Sequence, residues 1–304
     1  MKKVLITGIT GYIGSHLARA LLPDHEVYGL VRDPLRTEYI SDIQDQLHLL
    51  TTDGSYASIE TALQTAQPDL VYHMATFYTG THGPEVTPAL IASNITFGAY
   101  LLEAMSACGC SKLVYADTIM AHYGGEADRP LNLYAATKRA FSDLVGYYAG
   151  TGAVDAAAVV LSDTYGPGDW RPKVLNLIRR AVLEGTSLAL TSGRQIYDAV
   201  YIDDVVRGFV QAAAALDPSA PAHRVFQLSG ERPRSLRETV ELMLEVNDLR
   251  FRPGWGGRPD PDYILEDPLR IFPLPPGWSP CVPLEDGLRR FWDGTLLKGG
   301  DRIG

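Results

Sequence analysis

Cysteine is scarce. Only Cys108, Cys110 and Cys281 occur in 304 residues, too few to staple a chain of this size with disulfides. Cys108-Gly-Cys110 has no second ligand pair, and the seven histidines show no zinc spacing, so no metal is expected. No apolar run approaches the ~20 residues that cross a bilayer. The apolar run after Lys2 and Lys3 is too short for a signal-peptide core. These absences together lead us to expect a protein of the reducing cytoplasm, off the membrane. Positive charge is short as well. Lys and Arg number 27 against 36 Asp and Glu, a net charge of -9. That balance disfavours nucleic acid and anionic membranes as partners, but a small anion can still bind where a few basic residues converge. A hydrophobic content of 46% with 21% charged residues describes an ordinary globular protein, long enough for one large domain or two modest ones.

The first half of the chain alternates short apolar runs with helical patterns. The strand runs are KVLIT, EVYGLV, LHLLT, DLVYHMA, KLVYAD and VDAAAVVL, and the helical ones include YIGSHLARALL, ALIASNITFGAYLLEAMSAC and NLYAATKRAFSDLVGYYAG. Strict alternation with near-continuous apolar strands predicts an α/β fold, a Rossmann-type doubly wound parallel sheet covered on both faces. Beyond residue 163 the pattern loosens. Gly and Pro cluster in YGPGDWRP and in PLPPGWSP, and helical patterns at VVRGFVQAAAAL, SLRETVELMLEV and LEDGLRRFW separate the loops. We expect residues 1–163 to form the dinucleotide-binding domain, rejoined by a segment at about 195–229. Residues 164–194 and 230–304 make a small C-terminal substrate-binding lobe.

Gly8, Gly11 and Gly14 fall in TGITGYIGS, after the first strand and at the mouth of the first helix. Glycines there permit a tight turn and a close approach of pyrophosphate to backbone, and the helix N-terminus offers free N–H groups to the anion. With the intervening Tyr12 and Ile13 they are the expected cofactor cradle. A second pattern is Tyr134-x-x-x-Lys138 in NLYAATKRAFSD, whose spacing puts a phenol and an amine on one helical face. A free tyrosine titrates near ~10. A neighbouring ammonium favours its ionised form and suits it to proton transfer at neutral pH.

These motifs together resemble the extended branch of the short-chain dehydrogenase/reductase superfamily, the nucleotide-sugar epimerases and dehydratases. The glycine spacing is that branch's Gly-x-x-Gly-x-x-Gly. Asp53, closing LLTTD, matches the acid that meets the adenine. VYHMAT is similar to the branch's His-x-Ala-Ala segment, placing Ala75 beside the cofactor and Thr76 toward substrate. Asn94 matches an Asn of the central helix, and YDAVYIDDVV matches the branch's Tyr-Val/Ile-x-Asp-Val segment. The resemblance implies a catalytic set of Thr118, Tyr134 and Lys138, with Lys138 also on the nicotinamide ribose. It implies a homodimer paired through helices at 87–107 and 134–150.

An acid at the end of the second strand would bind a ribose 2′-hydroxyl, whereas Arg accommodates a 2′-phosphate. GLVRDPLR puts Val31 in that place, followed by Arg32 and Arg36. Two cations point to NADP(H). If Asp33 turns back to the ribose, the cofactor is NAD.

Some chemistries lack their residues. Dehydratases of the branch place Asp-Glu after the Thr, where this chain has Ile119 and Met120. Cys108 and Cys110 precede the fifth strand, and His122 stands alone, so the Cys and His of a 3,5-epimerase are not assembled. Reduction or epimerisation at sugar carbon 4 remains. Arg32 and the segment DTYGPGDWRPK, which resembles the CDP-paratose and CDP-abequose synthases, favour NADPH-dependent reduction of a nucleotide-diphosphate-4-keto-6-deoxyhexose. A 4-epimerase recycling tightly held NAD is the alternative. A non-catalytic NADP-sensing regulator is a third reading, against which the intact Tyr–Lys pair counts. Asp163 stands where the branch has Asn, and Tyr197 replaces its phosphate-gripping Arg. Arg171, Lys173, Arg179 and Arg194 are therefore candidate diphosphate partners.

Overall fold

In a computed structural model that describes residues 1–123, 129–261 and 264–294, the apolar runs become strands of one parallel sheet. The first half reads β1 (Lys2–Thr7), α1 (Tyr12–Leu21), β2 (His25–Val31), β3 (His48–Thr51), α2 (Tyr56–Ala66) and β4 (Leu70–His73). A long helix follows in two segments, α3 (Thr87–Ile91) and α4 (Phe97–Cys108), joined by a π-helical turn at Ala92–Thr96. Next come β5 (Lys112–Thr118), a 3₁₀ turn at Ile119–His122, α5 (Leu133–Gly150) and β6 (Asp155–Leu161). The remainder holds β7 (Asp163–Tyr165), α6 (Val174–Glu184), β8 (Ile196–Tyr197), β9 (Ala199–Tyr201), α7 (Ile202–Ala214), β10 (His223–Leu228), β11 (Arg234–Ser235), α8 (Leu236–Val246) and α9 (Leu284–Asp293).

The main sheet has the order β10-β6-β5-β4-β1-β2-β3, parallel throughout. This is the expected doubly wound Rossmann-type architecture. The order reverses at β1, with β2 on one side and β4 on the other, and ligands of such sheets bind in the crevice beyond that reversal. Leu5, Val71, Leu113, Ala156 and Ala158 of the strands pack with Leu101, Met105, Phe141 and Val145 of the helices. The alanines of β6 matter for what lies over them. Their small side chains let Tyr115 on β5 reach across to His223 on β10, Oη to Nε2 at 2.8 Å.

Two compact units divide the chain. The first comprises Met1–Leu161, Val206–Leu228 and Ile271–Trp278. The second comprises Ser162–Val205, Ser229–Arg270 and Ser279–Gly304. In the second, β7 pairs with β9 and β11 with β8, and Tyr165 meets Tyr201 and Phe291 edge to face. A reciprocal cap between Ser235 and Glu238 starts α8. Among the described residues no helix is long and apolar enough to cross a membrane.

Candidate active site

The turn from β1 into α1 admits no side chain. Gly8 has φ +68°, and a Cβ there would stand 2.6 Å from the amide nitrogen of Ala75. A Cβ on Gly14 would overlap the carbonyl oxygen of Gly8. Gly11 closes the turn by donating its N–H to Gly8 O at 2.9 Å. It also caps α1 without a side chain, and no acid occupies the helix's first turn. The first-turn N–H groups and the positive end of the helix dipole are left for an anion. Tyr12 is buried and Ile13 half-buried in that turn.

Thr7 and His73 lie directly across from each other at the ends of β1 and β4. Thr7 Oγ1 is 2.7 Å from His73 Nδ1 and accepts from Ala75 N at 3.2 Å. The His73 ring stacks on Phe97 and meets Phe141 edge to face. Burial, and secondarily Lys138, hold its pKa down to about 3, so the imidazole is neutral. Asp53, between β3 and α2, is lowered to about 2 by hydrogen bonds from Ser55.

Asn132 caps α5 by accepting from Ala135 N at 2.9 Å, so Tyr134 sits in the first turn and Lys138 one turn later. The Lys138 side chain is buried, the residue 3% exposed. Its ammonium lies 5.8 Å from the Phe141 ring centroid and makes no hydrogen bond within the described residues. Burial lowers its pKa and Asp117 opposes that shift. Tyr78 meets the Tyr134 ring edge to face at 4.9 Å. Thr118 closes β5, its hydroxyl accepting from Met120 N at 3.3 Å.

Asn94, 3% exposed in the π-helical turn, ties these parts together. Its Oδ1 accepts from Phe77 N at 2.8 Å and Thr76 Oγ1 at 3.2 Å. Its Nδ2 donates to Phe77 O and to Thr137 Oγ1, each at 3.0 Å. Thr137 in turn donates to Tyr134 O at 2.7 Å. One amide thus fixes both the loop after β4 and the helix that carries the phenol.

In the second unit the candidate cations are mostly occupied. Arg171 clamps buried Asp169 through Nε and Nη2, both at 2.7 Å, and donates to Thr164 O. Arg179 bonds Gly294 O and lies over the rings of Phe291 and Trp292. Arg194 is exposed between Asp260 and Glu266. Lys173 reaches Asp163 at 3.4 Å, and burial, then Arg171, lower its pKa. Tyr197 is 6% exposed, with a hydroxyl that has no hydrogen-bond partner among the described residues.

Residues 4–227 match the model of the NAD dependent epimerase/dehydratase family. The chain belongs to that family. It is similar to a probable UDP-glucuronate 4-epimerase of Rhizobium meliloti (strain 1021), 27% identical with 95% of each chain covered. It is also similar to the CDP-abequose synthase of Yersinia pseudotuberculosis, 24% identical over 86% of this chain and 90% of that one. Among solved structures, UDP-glucuronic acid 4-epimerase from Bacillus cereus in complex with NAD superposes with a TM-score of 0.78, at 25% identity, covering 96% of this chain and 98% of that one.

The family corrects the cofactor. NADP(H) was expected from Arg32 and Arg36, but solved neighbours such as the Bacillus cereus UDP-glucuronic acid 4-epimerase are in complex with NAD. The loop supplies the reason. Arg36 Nε stands 3.4 Å from Asp33 Oδ2, so an acid of the same loop takes up one of the two cations on which that expectation rested. The hydroxyl of Thr7 and the amide of Asn94 do more than their residue types announce. Thr7 is legible only once β1 and β4 are paired, whereas Asn94 already matched the family's central-helix Asn.

Proposed function

We propose that this protein is an NAD-dependent nucleotide-sugar 4-epimerase, acting as a cytoplasmic homodimer. The observation that carries this reading is the pairing of Tyr134 with a buried, hydrogen-bond-free Lys138 ammonium beside a side-chain-free cradle, with Ile119 and Met120 adding no second acid–base pair. The cradle at Gly8 and Gly14, the uncapped start of α1 and the open ammonium all fit a dinucleotide. Gly8, Gly11, Tyr12, Ile13 and Gly14 would hold its pyrophosphate side, Asp53 its adenine, Ala75 the nicotinamide side and Lys138 the ribose. Bound NAD supplies the acceptor and donor of a hydride.

The chain's own residues handle the proton. Tyr134 Oη takes it from the sugar 4-hydroxyl and returns it, and the Lys138 cation favours the ionised phenol that must stand ready before the proton is taken. Thr118 Oγ1 hydrogen-bonds the same sugar oxygen and holds it in line. Inversion would require that the 4-keto sugar present its other face before carbon 4 regains its hydrogen, because configuration is set at that carbon and not at the oxygen that Tyr134 protonates. In the second unit, Asp163, Lys173 and Tyr197 are the proposed contacts to the sugar nucleotide: the Tyr197 hydroxyl has no partner among the described residues, and Lys173 meets Asp163 only at 3.4 Å, whereas Arg171 is clamped on Asp169 at 2.7 Å.

Purified protein incubated with a panel of UDP- and CDP-hexoses should interconvert one 4-epimeric pair, resolved by chromatography, without consuming added dinucleotide. The likeness to CDP-abequose synthase and the DTYGPGDWRPK segment favour a second reading, reduction of a 4-keto sugar nucleotide. In that case turnover requires stoichiometric oxidation of a reduced dinucleotide.

A further inference from the structure

The acid–base reading leaves one buried acid of β5 unused. Asp117, 4% exposed, directly precedes Thr118. Its Oδ1 accepts from Thr118 N at 2.8 Å, and its Oδ2 lies 3.8 Å from His122 Nε2.

Register tells where this carboxylate points. Side chains two apart on a strand share a face, so Asp117 is on the face of Tyr115. Tyr115 donates to Ser142 Oγ at 3.0 Å and meets the Phe141 ring at 5.2 Å, both on α5. Lys138 is one turn back from Ser142. A crossover helix between two adjacent parallel strands runs opposite to them, so stepping forward on β5 and backward on α5 goes the same way. The strand step from Tyr115 to Asp117 is roughly 6.6 Å, and the helix step from Ser142 to Lys138 is roughly 6 Å. Asp117 therefore comes level with Lys138 just as Tyr115 is level with Ser142.

We propose that Asp117 is a positioning residue that keeps Lys138 protonated in a dry site and so acts, through the lysine, on Tyr134. The proposal rests on the reading of Tyr134 and Lys138 as the acid–base pair. Electrostatics agrees with the register. Burial pushes the Lys138 pKa down, and Asp117 is the group that raises it. The other titratable groups packed around this stretch are Tyr115 on β5, His73 on β4, His122 on the 3₁₀ turn, Tyr134 and the exposed Asp143 on α5, and His223 on β10. Among them Asp117 is the buried carboxylate.

Asp117→Asn keeps an acceptor for Thr118 N and removes the charge. Asp117→Ser does the same with a smaller group, should the amide disturb packing. The test is an NMR titration of ¹³C-labelled Lys138 in the NAD-bound protein, with thermal melts confirming that each variant folds. We expect the Lys138 pKa to fall by about one unit in both variants. The alkaline limb of the kcat profile should move with it, so that kcat drops about tenfold at mildly alkaline pH while KM for the sugar nucleotide stays within about twofold. An unchanged Lys138 titration in a folded variant overturns the proposal. The titration needs no substrate, so it decides the role of Asp117 even if epimerisation itself is not found.

Discussion

Lys138 is a largely buried residue whose ammonium makes no hydrogen bond within the described residues. Such an arrangement is costly unless a ligand or a reacting group uses it. Tyr134 is the group on the same helical face. Tyr134→Phe should lower kcat by about 10²–10⁴-fold, the usual contribution of general acid–base catalysis, with dinucleotide affinity by calorimetry nearly unchanged. His73 carries a pH signature of its own. Its folded pKa is depressed from 6.5 to about 3, so between these values the unfolded chain binds a proton that the folded one does not. Stability is therefore intact above about 6.5 and is lost as pH falls toward 3, with a slope approaching about 1.4 kcal/mol per pH unit. Urea unfolding of His73→Asn at several pH values should show a flatter slope over that range, and an undiminished slope would mean the imidazole is charged in the fold. At this scale the Tyr–Lys pair and the three glycines were legible, because spacing alone puts them on one face or in one turn. The partners of Arg36, Arg171 and Arg194 were not. Asp33, Asp169, Asp260 and Glu266 neutralise these cations through side-chain directions that a sequence does not carry.

Among the elements, the π-helical turn at Ala92–Thr96 is the least expected. The run from residue 87 to 107 has helical periodicity throughout, and nothing in it marks where one extra residue enters the turn. The consequence is chemical, since such turns cluster at functional sites and this one aims Asn94 inward. Asn94→Ala would strand the half-buried amide of Phe77, while the exposed Thr76 hydroxyl can turn to water and Thr137 keeps its bond to Tyr134 O. At about 1–3 kcal/mol for a group left unsatisfied, the loss should reach about 2 kcal/mol by urea denaturation. A loss under about 1 kcal/mol would mean that water replaces the amide. The first six strands were readable as apolar runs. β10 was not, because HRVFQL is neither a continuous apolar run nor a strict alternation and takes its place only through pairing with β6. β7, β8, β9 and β11, each two or three residues long, are too short for any periodicity and exist through their partners.

For the molecule as a whole, the strand order sets the chemistry. The reversal at β1 brings the ends of β1 and β4 together, so the Gly8–Gly14 turn and the His73–Ala75 stretch, far apart in the chain, share one crevice. The doubly wound class followed from alternation alone. The cofactor did not, because a pair of cations in one loop says little until the acid between them is placed. The claim that this chain takes one hydride and one proton and returns both to the same sugar is the central one. It is tested most directly with a nucleotide hexose deuterated at carbon 4 and no added reductant. The account predicts a 4-epimeric product that retains its deuterium at carbon 4. Loss of the label, or turnover seen only when a 4-keto sugar and a reduced dinucleotide are supplied together, would contradict it.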